Sequence, residues 1–196
     1  MEEKSINPAE SLDIIQSMIS KAQQNYSIDS FYYIMWGWLT FTAAMLSYFL
    51  YPVLRENTGL IWLLMPLGGI VSFFYGRNQS KKQKVKTYLE NHVNQVWLTL
   101  GLAIISVCAS IFMGVNLEIM PTFILLYGIG IFCTGRIIRF VPMMIGGALC
   151  FPLFLLCGYF TFNHGEYQFL VLALALLVSY IIPGHMLKAK FRSNAA

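Results

Sequence analysis

Long uncharged runs separated by short polar breaks set the pattern of this chain, at 31–54, 58–76, 94–117, 119–135, 140–161 and 167–185. A helix crosses a hydrocarbon core of roughly 30 Å in about 20 apolar residues. The pattern therefore predicts an all-α polytopic membrane protein with six transmembrane helices. Ahead of them, residues 1–30 read as a cytosolic amphipathic helix with a linker; 31–188 form the transmembrane domain and 189–196 a short basic tail.

The N-terminal helix starts at Asn7-Pro8-Ala9-Glu10, which supplies a cap, a Pro at the first helical position and a Glu for reciprocal capping. Leu12, Ile15, Met18, Ile19, Ala22 and Tyr26 follow on one face. A polar break is expected at 25–30, with Asp29 or Ser30 capping the first span. The polar face is nearly neutral, which favours docking on protein over anionic lipid. The dock is either the chain's own stem, where Val85, Tyr88, Leu89, His92 and Gln95 share a helical edge, or a separate cytosolic regulatory protein. Leu12, Ile15, Met18, Ile19, Tyr88 and His92 are the candidate docking residues.

Within the spans, Gly68, Ser72 and Gly76 form one small-residue stripe and Ser106, Ser110 and Gly114 another. Such stripes let helix backbones approach closely. They are expected to face each other in the monomer, or to serve a homodimer. Gly146 and Gly147 are further packing candidates, and Phe31 to Trp38 read as an aromatic anchor at the inner boundary.

With 57% hydrophobic and 11% charged residues, the chain has about half the charge of a soluble domain. The net charge of +4 does not imply nucleic acid, because its distribution follows the membrane. An N-in/C-in threading puts twelve of the thirteen Lys and Arg inside, five of them in the 77–86 loop, and leaves only Arg55 outside with Glu56, Glu118 and Glu166. This is the positive-inside bias expected of a multi-pass membrane protein with both termini in the cytoplasm. The first 30 residues lack the apolar core of a cleavable signal, so the first span is expected to act as the insertion signal.

No Asp, Glu, Lys or Arg lies within a span, which argues against proton relays, ion-coupled transport and intramembrane catalysis. Cys108, Cys133, Cys150 and Cys157 all fall inside spans and suggest neither a disulfide framework nor a zinc site; no catalytic residue, metal or cofactor is expected. Arg136, Arg139 and Lys188 are candidates for an anionic headgroup or a partner carboxylate. Pro183, Gly184 and His185 suggest a kink and helix stop, with a gate as the functional version. The halves also echo each other: 67–73 resembles 145–151, and Trp36-Gly37 with Phe41 resembles Tyr127-Gly128 with Phe132, as an inverted 3+3 repeat would.

The aromatic-Gly-aromatic first span, the Arg136-Ile137-Ile138-Arg139 turn with Gly146-Gly147, and Ile182-Pro183-Gly184-His185-Met186-Leu187-Lys188 together resemble a family of small six-span bacterial inner-membrane proteins without an assigned biochemical role. Members accompany small winged-helix transcriptional regulators, so the resemblance implies a regulatory or stress-response setting and carries over no catalytic residues. The leading expectation is a non-enzymatic regulatory or interaction protein using its cytosolic face. The alternative is a passive carrier or channel for a neutral solute, built around Tyr127, Gly128, Gly68 and Gly146.

Overall fold

One uninterrupted helix carries the chain into the bundle. The computed structural model describes residues 8–81, 88–115 and 117–193, with side chains from Ser30 onward except at 56, 80, 88 and 191–193. α1 (Pro8–Leu54) is 47 residues long, or about 70 Å at helical rise. The expected break at 25–30 is absent. That stretch contains no Gly or Pro, and an ordinary polar residue disfavours helix by about 0.7 kcal/mol at most. This is too little to interrupt a hydrogen-bond ladder continued on both sides. The amphipathic segment is thus the direct extension of the first span, and neither Asp29 nor Ser30 is a cap.

Arg55, in the left-handed region at φ 44°, turns the chain, and a 3-10 stretch (Arg55–Leu63) leads into α2 (Leu64–Ser80). α3 (Tyr88–Phe112) stops short of 117. Gly114 explains the stop: at φ +68° it donates to the Ile111 carbonyl, and Val115 donates to that of Ser110. This is the Schellman arrangement, which closes a helix and favours Gly at the left-handed position.

α4 (Ile119–Ile137) and α5 (Val141–Asn163) are joined by a tight turn at Arg139, φ 54°. The last span is α6 (Tyr167–Leu176), a π turn (Leu177–Ile181) and α7 (Ile182–Ser193) in succession. Pro183 is therefore not a stop. In a plain α ladder its ring would clash with the carbonyl four residues back. The π turn, in which the Ile182 amide donates to the Leu177 carbonyl, shifts that register and lets the helix continue.

Six of the described helical segments are long and apolar enough to cross a membrane, and no strand occurs among the described residues, so the fold is that of an all-α polytopic membrane protein. The last span is its centre. α1 packs on one side of it, and α5 and α4 pack on the other. α2 approaches only α1 and the 3-10 stretch, and α3 only α4, among the described residues. The backbones of α2 and α3 nowhere come within 8 Å of each other there. The expected meeting of the two small-residue stripes does not occur.

Each stripe has another role. Gly68 receives the Leu39 and Trp36 side chains, and Ser72 accepts a hydrogen bond from Trp36 Nε1 at 3.0 Å. A Cβ at Gly76 would lie 3.0 Å from the Tyr32 hydroxyl. On α3, the Ser106 and Ser110 hydroxyls donate to the Leu102 and Val107 carbonyls of their own helix, and Gly114 is the cap just described. The two halves also pack differently, since α5 lies against both α4 and α6 while its counterpart α2 lies against α1 but not α3. The echo between 67–73 and 145–151 thus falls on helices with unlike neighbours.

Candidate functional site: an aromatic cavity between the second and third spans

The separation of α2 from α3 follows from what their contacts are made of. α2 rests on the Tyr32 and Trp36 side chains of α1, with Phe31 stacked on Tyr75 at 4.0 Å. α3 rests on α4 by seating the Leu100 and Trp97 side chains on Gly130. Large side chains of α1 at one contact and of α3 at the other hold the two outer helices away from the centre.

Tyr180 lies on the floor of the resulting space. It is carried by the π turn and is 3% exposed. Its ring centroid lies 5.6 Å from that of Tyr127, 6.1 Å from Trp97 and 6.3 Å from Tyr33. These separations suit edge and tilted aromatic packing. Rings from α1, α3 and α4 thus converge on one phenol of the last span. Its hydroxyl is buried and has no hydrogen-bond partner among the described residues.

Above this floor is a cavity of about 500 Å³, within the range of roughly 300–1,000 Å³ typical of small-molecule sites. Tyr32, Tyr33, Trp36 and Thr40 of α1, Met65 and Ser72 of α2, Asn94 and Gly101 of α3 and Phe123 of α4 contribute to its lining. None of the described residues in the lining is Asp, Glu, Lys, Arg or His. A Cβ at Gly101 would meet open space. Such walls offer dispersion, aromatic faces and a few neutral hydrogen-bonding groups, but no acid, base or charge. No group of His, Cys, Asp or Glu among the described residues is arranged to hold a metal. A second, more open recess of about 850 Å³ lies at the Tyr51, Arg55 and Glu166 end.

Most residues singled out in the sequence lie elsewhere. The side chains of Leu12, Ile15, Met18, Ile19 and Tyr88 are outside the described residues; His92 is half-buried beside Val93, which lines the cavity. Arg136, Arg139 and Lys188 are exposed. Lys190 Nζ sits 5.5 Å over the Phe140 ring, bringing α7 to the α4–α5 turn at that end of the bundle. Pro183 is buried, and a Cβ on Gly184 would lie 3.1 Å from Ile34 Cγ1, so Gly184 sits at the α7–α1 contact. His185 Nδ1 donates to the Ile181 carbonyl at 2.8 Å, and none of the three gate candidates borders the cavity.

Gly146 and Gly147 are at helix contacts, where a Cβ on Gly146 would strike the Val178 carbonyl and one on Gly147 would lie 2.5 Å from the Phe132 amide nitrogen. Of Tyr127, Gly128, Gly68 and Gly146, only Tyr127 lines the cavity. In the sequence the Trp36-Gly37-Trp38 triplet reads as an interfacial anchor with a ligand-cleft border as the alternative, and Trp36 does line the cavity; Trp97 and Tyr180 carry no site there. The available signal was a phenol inside an apolar run, at Tyr127 and again at Tyr180, where a hydroxyl must find a partner or go without.

The fold and its cavity define the class, a polytopic α-helical membrane protein with an uncharged aromatic recess among its spans. No protein-family model matches the chain, and no curated protein or solved structure matches it either.

Proposed function

We propose that this is a non-enzymatic bacterial inner-membrane protein that takes a neutral, largely apolar molecule from the bilayer into the cavity and reports its occupancy to a cytosolic regulatory partner. The observation that carries the reading is the uncharged aromatic cavity between two helices whose backbones do not meet. A charged solute would lose its hydration there with nothing to compensate. A lipid-soluble molecule has no such cost, and the gap between α2 and α3 gives it a lateral way in. The cytosolic side follows from the positive-inside bias, with both termini inside.

The reporting step rests on α1. The helix that lines the cavity with Tyr32, Tyr33, Trp36 and Thr40 continues without a break back to Pro8. A ligand that shifts the cavity wall therefore acts on the segment offered to a partner. The test is identification by mass of what co-purifies in mild detergent with the wild type and with Gly101→Phe, whose ring fills open space. The expected result is a neutral lipophile on the wild type that is lost from the variant. The same molecules on both, or only charged phospholipid, would contradict the reading. Flux of a neutral solute into proteoliposomes, indifferent to pH and sodium, would move the protein from receptor to carrier while keeping the site.

A further inference from the structure

The aromatic floor has one chemical peculiarity that apolar lining does not explain. Tyr180 is 3% exposed, it lines the cavity, and its hydroxyl has no hydrogen-bond partner among the described residues. An unmet hydroxyl in a low-dielectric interior is costly, and a Phe would give the same ring contacts without that cost. Two pairs of polar side chains in the lining already engage each other: Trp36 Nε1 donates to Ser72 Oγ at 3.0 Å, and Thr40 Oγ1 donates to Met65 Sδ at 3.8 Å. Tyr180 thus keeps a free donor among the described residues, and it is the phenol buried deepest at the floor. The rings of Tyr33, Trp97 and Tyr127 frame it.

Resting on the reading of the cavity as a lipophile site, we infer that its ligand is an uncharged lipid-soluble molecule bearing a hydrogen-bond-accepting oxygen, of the ketone, quinone or ester carbonyl class, received by the Tyr180 hydroxyl. The aromatic frame accepts a flat or chain-like apolar body, and the phenol donates to the single polar atom. Selection among lipophiles then depends on that hydrogen bond, since the apolar walls discriminate weakly between molecules of similar shape.

The experiment uses the full chain in nanodiscs and its own fluorescence. Trp36, Trp62 and Trp97 line the cavity, so three of the four tryptophans report on it. Trp38, 46% exposed on the outside, is replaced by Phe throughout to remove its background. The probes are a bromophenyl alkyl ketone and the bromophenyl alkane of the same length, whose bromine quenches nearby indoles. The expected result is that the tyrosine protein binds the ketone about threefold to tenfold more tightly than the alkane, the worth of one neutral hydrogen bond. Tyr180→Phe should bind both alike, at the affinity the parent shows for the alkane. Equal binding of the two probes by the parent, or a ketone preference that survives Tyr180→Phe, would overturn the inference and leave the cavity reading standing. Quenching by both probes that Gly101→Phe does not reduce would show that neither probe enters the cavity, and both readings would fall.

Discussion

Glycine is used in two different ways on the two sides of this bundle. Between α4, α5 and the last span it brings backbone to backbone: Gly147 meets Phe132 main-chain atoms, Gly135 faces the Met144 amide at 2.8 Å, and Gly146 meets the Val178 carbonyl. Where the outer helices α2 and α3 meet the bundle it receives side chains instead. Gly68 takes Trp36 and Leu39, and Gly130 takes Trp97 and Leu100. The first use closes the interior; the second sets a helix at arm's length and leaves a cavity under it. The same residue type therefore builds a closed core on one side and an open site on the other, according to whether a large side chain stands opposite.

Substitutions that treat the two sides alike should separate them. The largest effect is expected for Gly147→Val, which pushes a branched side chain into the α4 backbone and should destabilise the protein by about 3 kcal/mol, seen as a lower midpoint in detergent thermal unfolding. Trp36→Phe removes the hydrogen bond to Ser72 and should cost about 1 kcal/mol. Its signature is local: faster amide exchange in α2 with α5 unchanged. Smallest is Gly69→Ala on α2, where a Cβ meets nothing within 4 Å. It should raise stability by roughly 0.5 kcal/mol through helix propensity alone, and a loss there would mean that α2 packs against something opposite Gly69.

The spans were legible because membrane crossing is decided by length and the absence of charge, both of which are local. The polar positions at 25–30 misled because polarity disfavours a helix only weakly, whereas Gly or Pro would have broken it. The small-residue stripes announced close approach but not its partner: Gly68 was matched by a tryptophan of the first span, and Gly114 proved to be a cap. The cavity was out of reach for a related reason. Tyr33, Trp97, Tyr127 and Tyr180 lie far apart in the chain, on segments whose side-by-side order no hydropathy pattern records. The uncharged character of the site was visible beforehand, in spans free of Asp, Glu, Lys and Arg, as was Tyr127 as part of a possible solute route.

The central claim is that the bilayer has access to this cavity through the gap between α2 and α3. Fluorescence quenching in nanodiscs made of lipids with brominated acyl chains tests it directly, with Trp38 replaced by Phe so that Trp36, Trp62 and Trp97 carry the signal. The account predicts strong quenching that Gly101→Phe relieves by filling the space. Quenching that is negligible from the start, or unchanged by the variant, would contradict it.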